Sequence, residues 1–110
     1  MEPTNFSPDW RELVTYAAPR PQPAFLRDEE GLRVLVAGLE PGGQIPAHPE
    51  RLAVYHFLEG TGSMVVGDAQ FDVAAGATVV APRGARRGVE AKTRLAFLAV
   101  RIGPDLDDAG

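Results

Sequence analysis

The sequence predicts an all-β domain, an antiparallel sandwich or barrel of seven or eight short strands. Three observations carry that reading. Gly (12) and Pro (10) make up a fifth of the 110 residues and are scattered between short apolar runs rather than gathered in one tract, which is turn punctuation at the spacing of strands. The runs favour β-branched and aromatic residues, as in Val54-Tyr55-His56-Phe57-Leu58. Each run stops at a turn sequence: Pro41-Gly42-Gly43, Gly67-Asp68, Ala74-Ala75-Gly76 or Pro82-Arg83-Gly84.

Residues 1–30 read as an N-terminal arm. Ser7-Pro8-Asp9 has the form of a helix start, with Ser7 as N-cap and Pro8 at the first position, and supports a single turn through Trp10. Pro19-Arg20-Pro21-Gln22-Pro23 excludes helix and central strand, so this part is extended over the surface. Trp10, Tyr16 and Phe25 are expected to anchor it by burying their rings.

Residues 31–102 read as the barrel. Leu32 to Leu39 is nearly continuous in apolar residues and suits a strand covered on both faces. A turn and a short exposed loop follow, then the strand ending at Glu59-Gly60. Ser63 to Val66 and Gln70 to Val73 form a hairpin about Gly67-Asp68. Thr78 to Ala81 and Leu95 to Ile102 are the last predicted strands, and residues 103–110 are an acidic tail expected to fray.

Composition narrows the function. A formal charge of −4 argues against a general nucleic-acid binder, which needs a basic face. The absence of cysteine removes thiolate metal sites, cysteine nucleophiles and disulfides. No apolar run approaches the roughly 18 residues of a membrane span, and there is no secretory leader pattern. A cytoplasmic protein that contacts neither membrane nor nucleic acid is expected. Gly60-Thr61-Gly62 lies between strands with no lysine after it, so it is not a phosphate loop.

Both histidines, His48 and His56, fall between Glu40 and Gly60, so imidazole chemistry has to be built there. Gly42 stands five residues ahead of His48, Phe57-Leu58-Glu59-Gly60 closes the same stretch, and Gly76, Pro82 and Gly84 repeat a Gly-x5-Pro-x-Gly spacing. In these motifs residues 31–102 resemble the cupin family. The resemblance implies a double-stranded β-helix, the jelly-roll barrel, and commonly a homodimer. It also implies a divalent metal held by two histidines and a glutamate of the first motif and one histidine of the second.

This chain departs from that ligand set. Counting along the motifs, the second histidine position is Glu50, the glutamate position Ala53 and the second-motif histidine Arg87. A guanidinium has no lone pair for a metal and repels a cation. If Arg87 points into the barrel it needs an anionic partner, either Glu50 or a carboxylate or phosphate of a ligand. A shifted register would instead turn it to solvent. His48 is either a group at the barrel mouth or a solvated loop residue. Strand alternation puts His56 on the face opposite Ala53, Tyr55 and Phe57.

Three readings follow. The favoured one is a small-molecule-binding barrel without the metal centre, taking an apolar, anionic ligand against His48, Glu50, Tyr55, Phe57 and Arg87. A second is a metal-dependent oxygenase, isomerase or decarboxylase using His48, Glu50 and His56, which requires a bulge to turn His56 inward and a cation beside Arg87. A third is a ligand-free regulatory or structural protein. Apolar residues on both faces of Leu95 to Ile102, with Val54 and Leu58, lead to the expectation of a homodimer.

Overall fold

A computed structural model of the chain describes residues 5–106. Its strands are β1 (Tyr16–Ala17), β2 (Ala24–Glu29), β3 (Leu32–Leu39), β4 (Gln44–Pro49), β5 (Leu52–Glu59), β6 (Thr61–Val66), β7 (Ala69–Ala74), β8 (Thr78–Ala81), β9 (Arg86–Ala91) and β10 (Leu95–Ile102). One sheet has the order β1-β3-β10-β5-β8, with β2 also paired to β3, and the other the order β4-β9-β6-β7. Neighbours that are distant in sequence, wound into two facing sheets, make the jelly-roll, double-stranded β-helix architecture. Among the described residues no helix is long and apolar enough to cross a membrane.

The core lies between the sheets. Leu35, Ala37 and Leu39 of β3, Tyr55 and Phe57 of β5, and Leu95 and Phe97 of β10 meet Met64 and Val89 of the other sheet. Phe97 is the hub, its ring centroid 5.9 Å from that of Tyr55 and 5.8 Å from that of Phe57 at tilted angles. Each of the larger aliphatic and phenylalanine side chains contributes about 1.5–3 kcal/mol by leaving water. On β5 burial alternates strictly, with Ala53, Tyr55 and Phe57 inside.

Leu35 to Leu39 are all buried because β3 is covered on both faces. The N-terminal segment covers the outer one, so closely that a Cβ on Gly38 would stand 2.7 Å from Val14 and 2.9 Å from Tyr16. That segment does more than wrap the surface. Residues 24–29, read within the arm, form β2 and pair with β3, while β1 runs parallel to the end of β3. The N-cap is Asp9 rather than Ser7: its carboxylate accepts the Arg11 N–H at 3.0 Å and starts a 3-10 turn, Trp10–Glu12. Trp10 and Tyr16 are half-buried, whereas Phe25 is 36% exposed under the Arg33 guanidinium.

The Glu40–Gly43 turn closes by a 2.8 Å bond from Gly43 N–H to Glu40 O, with Gly42 at φ +85° after Pro41, the arrangement of a type II turn. Beyond it the expected loop is strand β4. It is an edge strand, where Pro46 and Pro49 cost no ladder bond. Its pairing with β9 is interrupted between Ile45 and His48. Gly88 permits this close approach, since a Cβ there would lie 2.7 Å from Ile45 O. At the far end, residues 103–106 are tied to the barrel by Arg51 and Arg83. Residues 1–4 of the expected arm and 107–110 of the expected tail lie outside the described residues.

Candidate functional site

A cavity of about 180 Å³ opens between the sheets, with Leu35, Ile45, Tyr55 and Phe97 as its apolar wall and His48, Arg33, Arg87 and Arg101 as its polar groups. Among the described residues no Asp or Glu lines it.

Arg87 is placed by strand alternation. On β9, Arg86 is exposed while Arg87 and Val89 point inward, and Arg87 is 1% exposed. Its Nε donates to Ala85 O at 2.8 Å, and its Nη2 donates to Pro82 O at 2.9 Å and Glu50 O at 3.3 Å. Among the described residues Nη1 has no acceptor, and the ion pairs found there leave Arg87 out. Carbonyl dipoles offset part of the cost of burying the charge.

His48 lines the same cavity and is the cross-strand partner of Arg87. Its Nδ1 lies 2.9 Å from Pro46 O. A carbonyl can only accept, so Nδ1 is the nitrogen that donates to it.

Arg33 and Arg101 are missed by the motif reading. They are cross-strand partners on β3 and β10 and share the inward phase of their strands with Leu35 and Phe97. Facing like charges repel, and each has an acid nearby: Arg33 Nε is 3.0 Å from Asp28 Oδ1, and Arg101 Nη1 is 3.8 Å from Glu50 Oε2. A charged residue at the inward phase of an apolar strand was the signal for them.

Glu50 meets Arg87 through its main chain, while its carboxylate accepts the Arg51 N–H at 2.9 Å and faces Arg101. Glu50 does not line the cavity. Tyr55 does, but Phe57 is fully buried in the core beside Phe97 and does not. His56 stands on the outer face of β5, its Nδ1 2.7 Å from Thr78 Oγ1.

The metal set His48, Glu50 and His56 does not fit together. Among the described residues no three of His, Cys, Asp and Glu converge. His56 pairs in register with Leu98 and Thr78, and the irregularity in the β5–β10 ladder falls between Ala96 and Phe97, past His56. The bulge needed to turn it inward is therefore elsewhere. A larger groove of about 520 Å³ lies outside the barrel, against Trp10, Leu13, Val36 and Leu98. Its one charged side chain, Arg27, is engaged with Asn5 and Glu29, so it lacks the convergent polar groups of the interior cavity.

Fold and site together define a small jelly-roll barrel with a cationic interior. A family model of the cupin domain matches residues 35–101, and the chain belongs to that family. No curated protein matches it. Among solved structures it is similar to a conserved protein of unknown function from Streptococcus pyogenes, at 23% identity over 94% of this chain and 96% of that one, with a TM-score of 0.83. A protein from Thermus thermophilus is similar at 24% identity over 87% and 96% of the two chains, with a TM-score of 0.78. Salicylate 1,2-dioxygenase from Pseudoaminobacter salicylatoxidans is similar at 20% identity over 66% of this chain and 22% of that chain, with a TM-score of 0.62. At these identities the likeness concerns the fold.

Proposed function

We propose that the protein binds a small monoanionic molecule with an apolar body inside the barrel, Arg87 taking the anionic group and Tyr55, Phe97, Leu35 and Ile45 the remainder. The observation that carries this reading is the Arg87 guanidinium, 1% exposed, held by carbonyls alone and with Nη1 unengaged among the described residues. Arg33 and Arg101 each face a carboxylate, Asp28 at 3.0 Å and Glu50 at 3.8 Å, which leaves Arg87 as the cavity arginine with none among the described residues. A volume of about 180 Å³ suits one ring or a short chain, since a dry protein cavity of about 150 Å³ holds benzene. His48 supplies a second polar contact on the Arg87 side. Among the described residues no ligand set converges for a divalent metal.

The test is a thermal-shift panel of carboxylates paired with their neutral amides, benzoate with benzamide and butyrate with butyramide among them. Carboxylates are expected to stabilise the protein and the amides to leave it unchanged. Equal responses to both members of each pair would remove the anion from the proposal.

The homodimer belongs to the same reading. Leu52, Val54, Val80, Val100 and Ile102 are neighbours on the outer face of β5, β8 and β10, with Leu52, Val80 and Ile102 exposed. None carries charge, so a second copy meets this face across a two-fold axis without like-charge contact. The cytoplasm is the compartment proposed for it.

A further inference from the structure

We infer that residues 103–106 form a clasp that sets the position of Arg87, with Asp105 as the positioning residue. The inference rests on the anion-binding reading above and extends it to a segment outside the cavity.

The carbonyls around Arg87 come from two connections rather than from sheet interiors. Pro82 and Ala85 belong to the β8–β9 turn, and Glu50 to the link between β4 and β5. Gly84 N–H donates to Glu50 O at 2.9 Å, so the two connections also touch each other. Where the guanidinium sits depends on how these two pieces are held.

Each of them extends an arginine to the C-terminal segment. From the turn, Arg83 Nη1 donates to Pro104 O at 2.7 Å and Nη2 to Asp105 O at 3.2 Å. From the β4–β5 link, Arg51 Nη2 forms an ion pair with the Asp105 carboxylate. The segment is anchored at its start, where Gly103 N–H donates to Gly31 O at 2.9 Å. It therefore spans both connections from a fixed point on the β2–β3 turn.

The Arg51 pair is unequal in a way that fixes its role. The Arg51 side chain is 6% exposed and that of Asp105 80%. Among the described residues Arg51 Nε and Nη1 have no acceptor, which leaves Asp105 as the one acceptor that its side chain has there. Without that carboxylate a guanidinium would be buried with no anionic partner, a costly state relieved by swinging into water. Arg51 adjoins Glu50, so this movement carries the Glu50 carbonyl away from Arg87. Asp105 thus acts on the binding arginine through Arg51 and Arg83 without touching a ligand.

The test compares the full chain with its Asp105→Asn and Asp105→Glu variants. Hydrogen exchange at Arg87 Nε–H, followed by NMR, reports the clasp whether or not any ligand binds. Asp105→Asn is expected to speed that exchange by about tenfold and to weaken benzoate binding, measured by calorimetry, by a similar factor. Asp105→Glu restores both. Unchanged exchange at Arg87 in Asp105→Asn would overturn the inference even if benzoate binds the unaltered protein. Faster exchange that Asp105→Glu reverses upholds the clasp, and if benzoate then fails to bind any of the three proteins, only the anion-binding reading is lost.

Discussion

His48 and Arg87 sit directly across from one another on β4 and β9, and both line the cavity between the two sheets. One is a ring whose Nδ1 donates to Pro46 O, the other a permanent cation with Nη1 uncommitted among the described residues. A group placed between them meets the Arg87 guanidinium from one strand and the imidazole edge from the next, and it is the fixed positive charge of Arg87 that favours an anion there.

Arg87→Met keeps much of the side-chain volume and removes the charge. Anion binding is expected to weaken by about 2–5 kcal/mol, roughly 30-fold or more, as when one partner of a buried charged pair is lost. Calorimetric titration with the best carboxylate of the panel measures it. Affinity within twofold of the unaltered protein would mean that Arg87 does not hold the anion.

Gly60 ends β5 at φ +88°, and a Cβ there would stand 1.6 Å from Arg94 O. The obstacle is backbone, which cannot step aside as a side-chain tip does. Gly60→Ala is expected to destabilise the fold by roughly 2–4 kcal/mol in chemical denaturation. Gly67→Ala, with open space around the same atom and φ +58°, should cost about 1 kcal/mol. Equal losses would contradict the close contact at Gly60.

The Tyr16 phenol is partly buried and donates to Glu59 Oε2 at 3.0 Å, and burial first, then the carboxylate, pushes it up from 10.0 to about 12. The folded state therefore favours the neutral phenol. Its stabilising contribution is complete below the unfolded value near 10 and is lost as pH rises toward 12. Ultraviolet titration should show a late tyrosine step that Tyr16→Phe abolishes. A late step that persists in the variant would place the shift elsewhere.

Val80→Glu sets a charge at the exposed β8 edge of the uncharged outer face formed with Leu52, Val54, Val100 and Ile102. Light scattering is expected to show a dimer for the unaltered chain and a monomer for the variant. A monomer in both would leave that face free.

Much of the barrel was legible because alternation on β5 is strict and motif spacing alone set Arg87 inside, although the Arg86-Arg87-Gly88 start of β9 hid a central strand. Edge strands were harder to read. Pro46 and Pro49 disguised β4 as a loop, and Arg27-Asp28-Glu29 disguised β2 as part of an arm, since an edge carries prolines and charges that a central strand rejects. The cavity was only half visible. Phase predicts which face a residue takes, not how deep it lies along the barrel, so Tyr55 and Phe57 looked equivalent although only Tyr55 lines the space. Arg33 and Arg101 had the inward phase too, but their apolar neighbours drew attention to packing.

The central claim is that the interior recognises an anion through Arg87 and needs no metal ion to do so. Calorimetric titration of chelator-treated protein with the carboxylate that stabilises it most tests this directly. Saturable binding that is undiminished by the chelator and absent with the matching amide is the predicted result. Binding that vanishes on chelation and returns with a divalent cation would contradict the account.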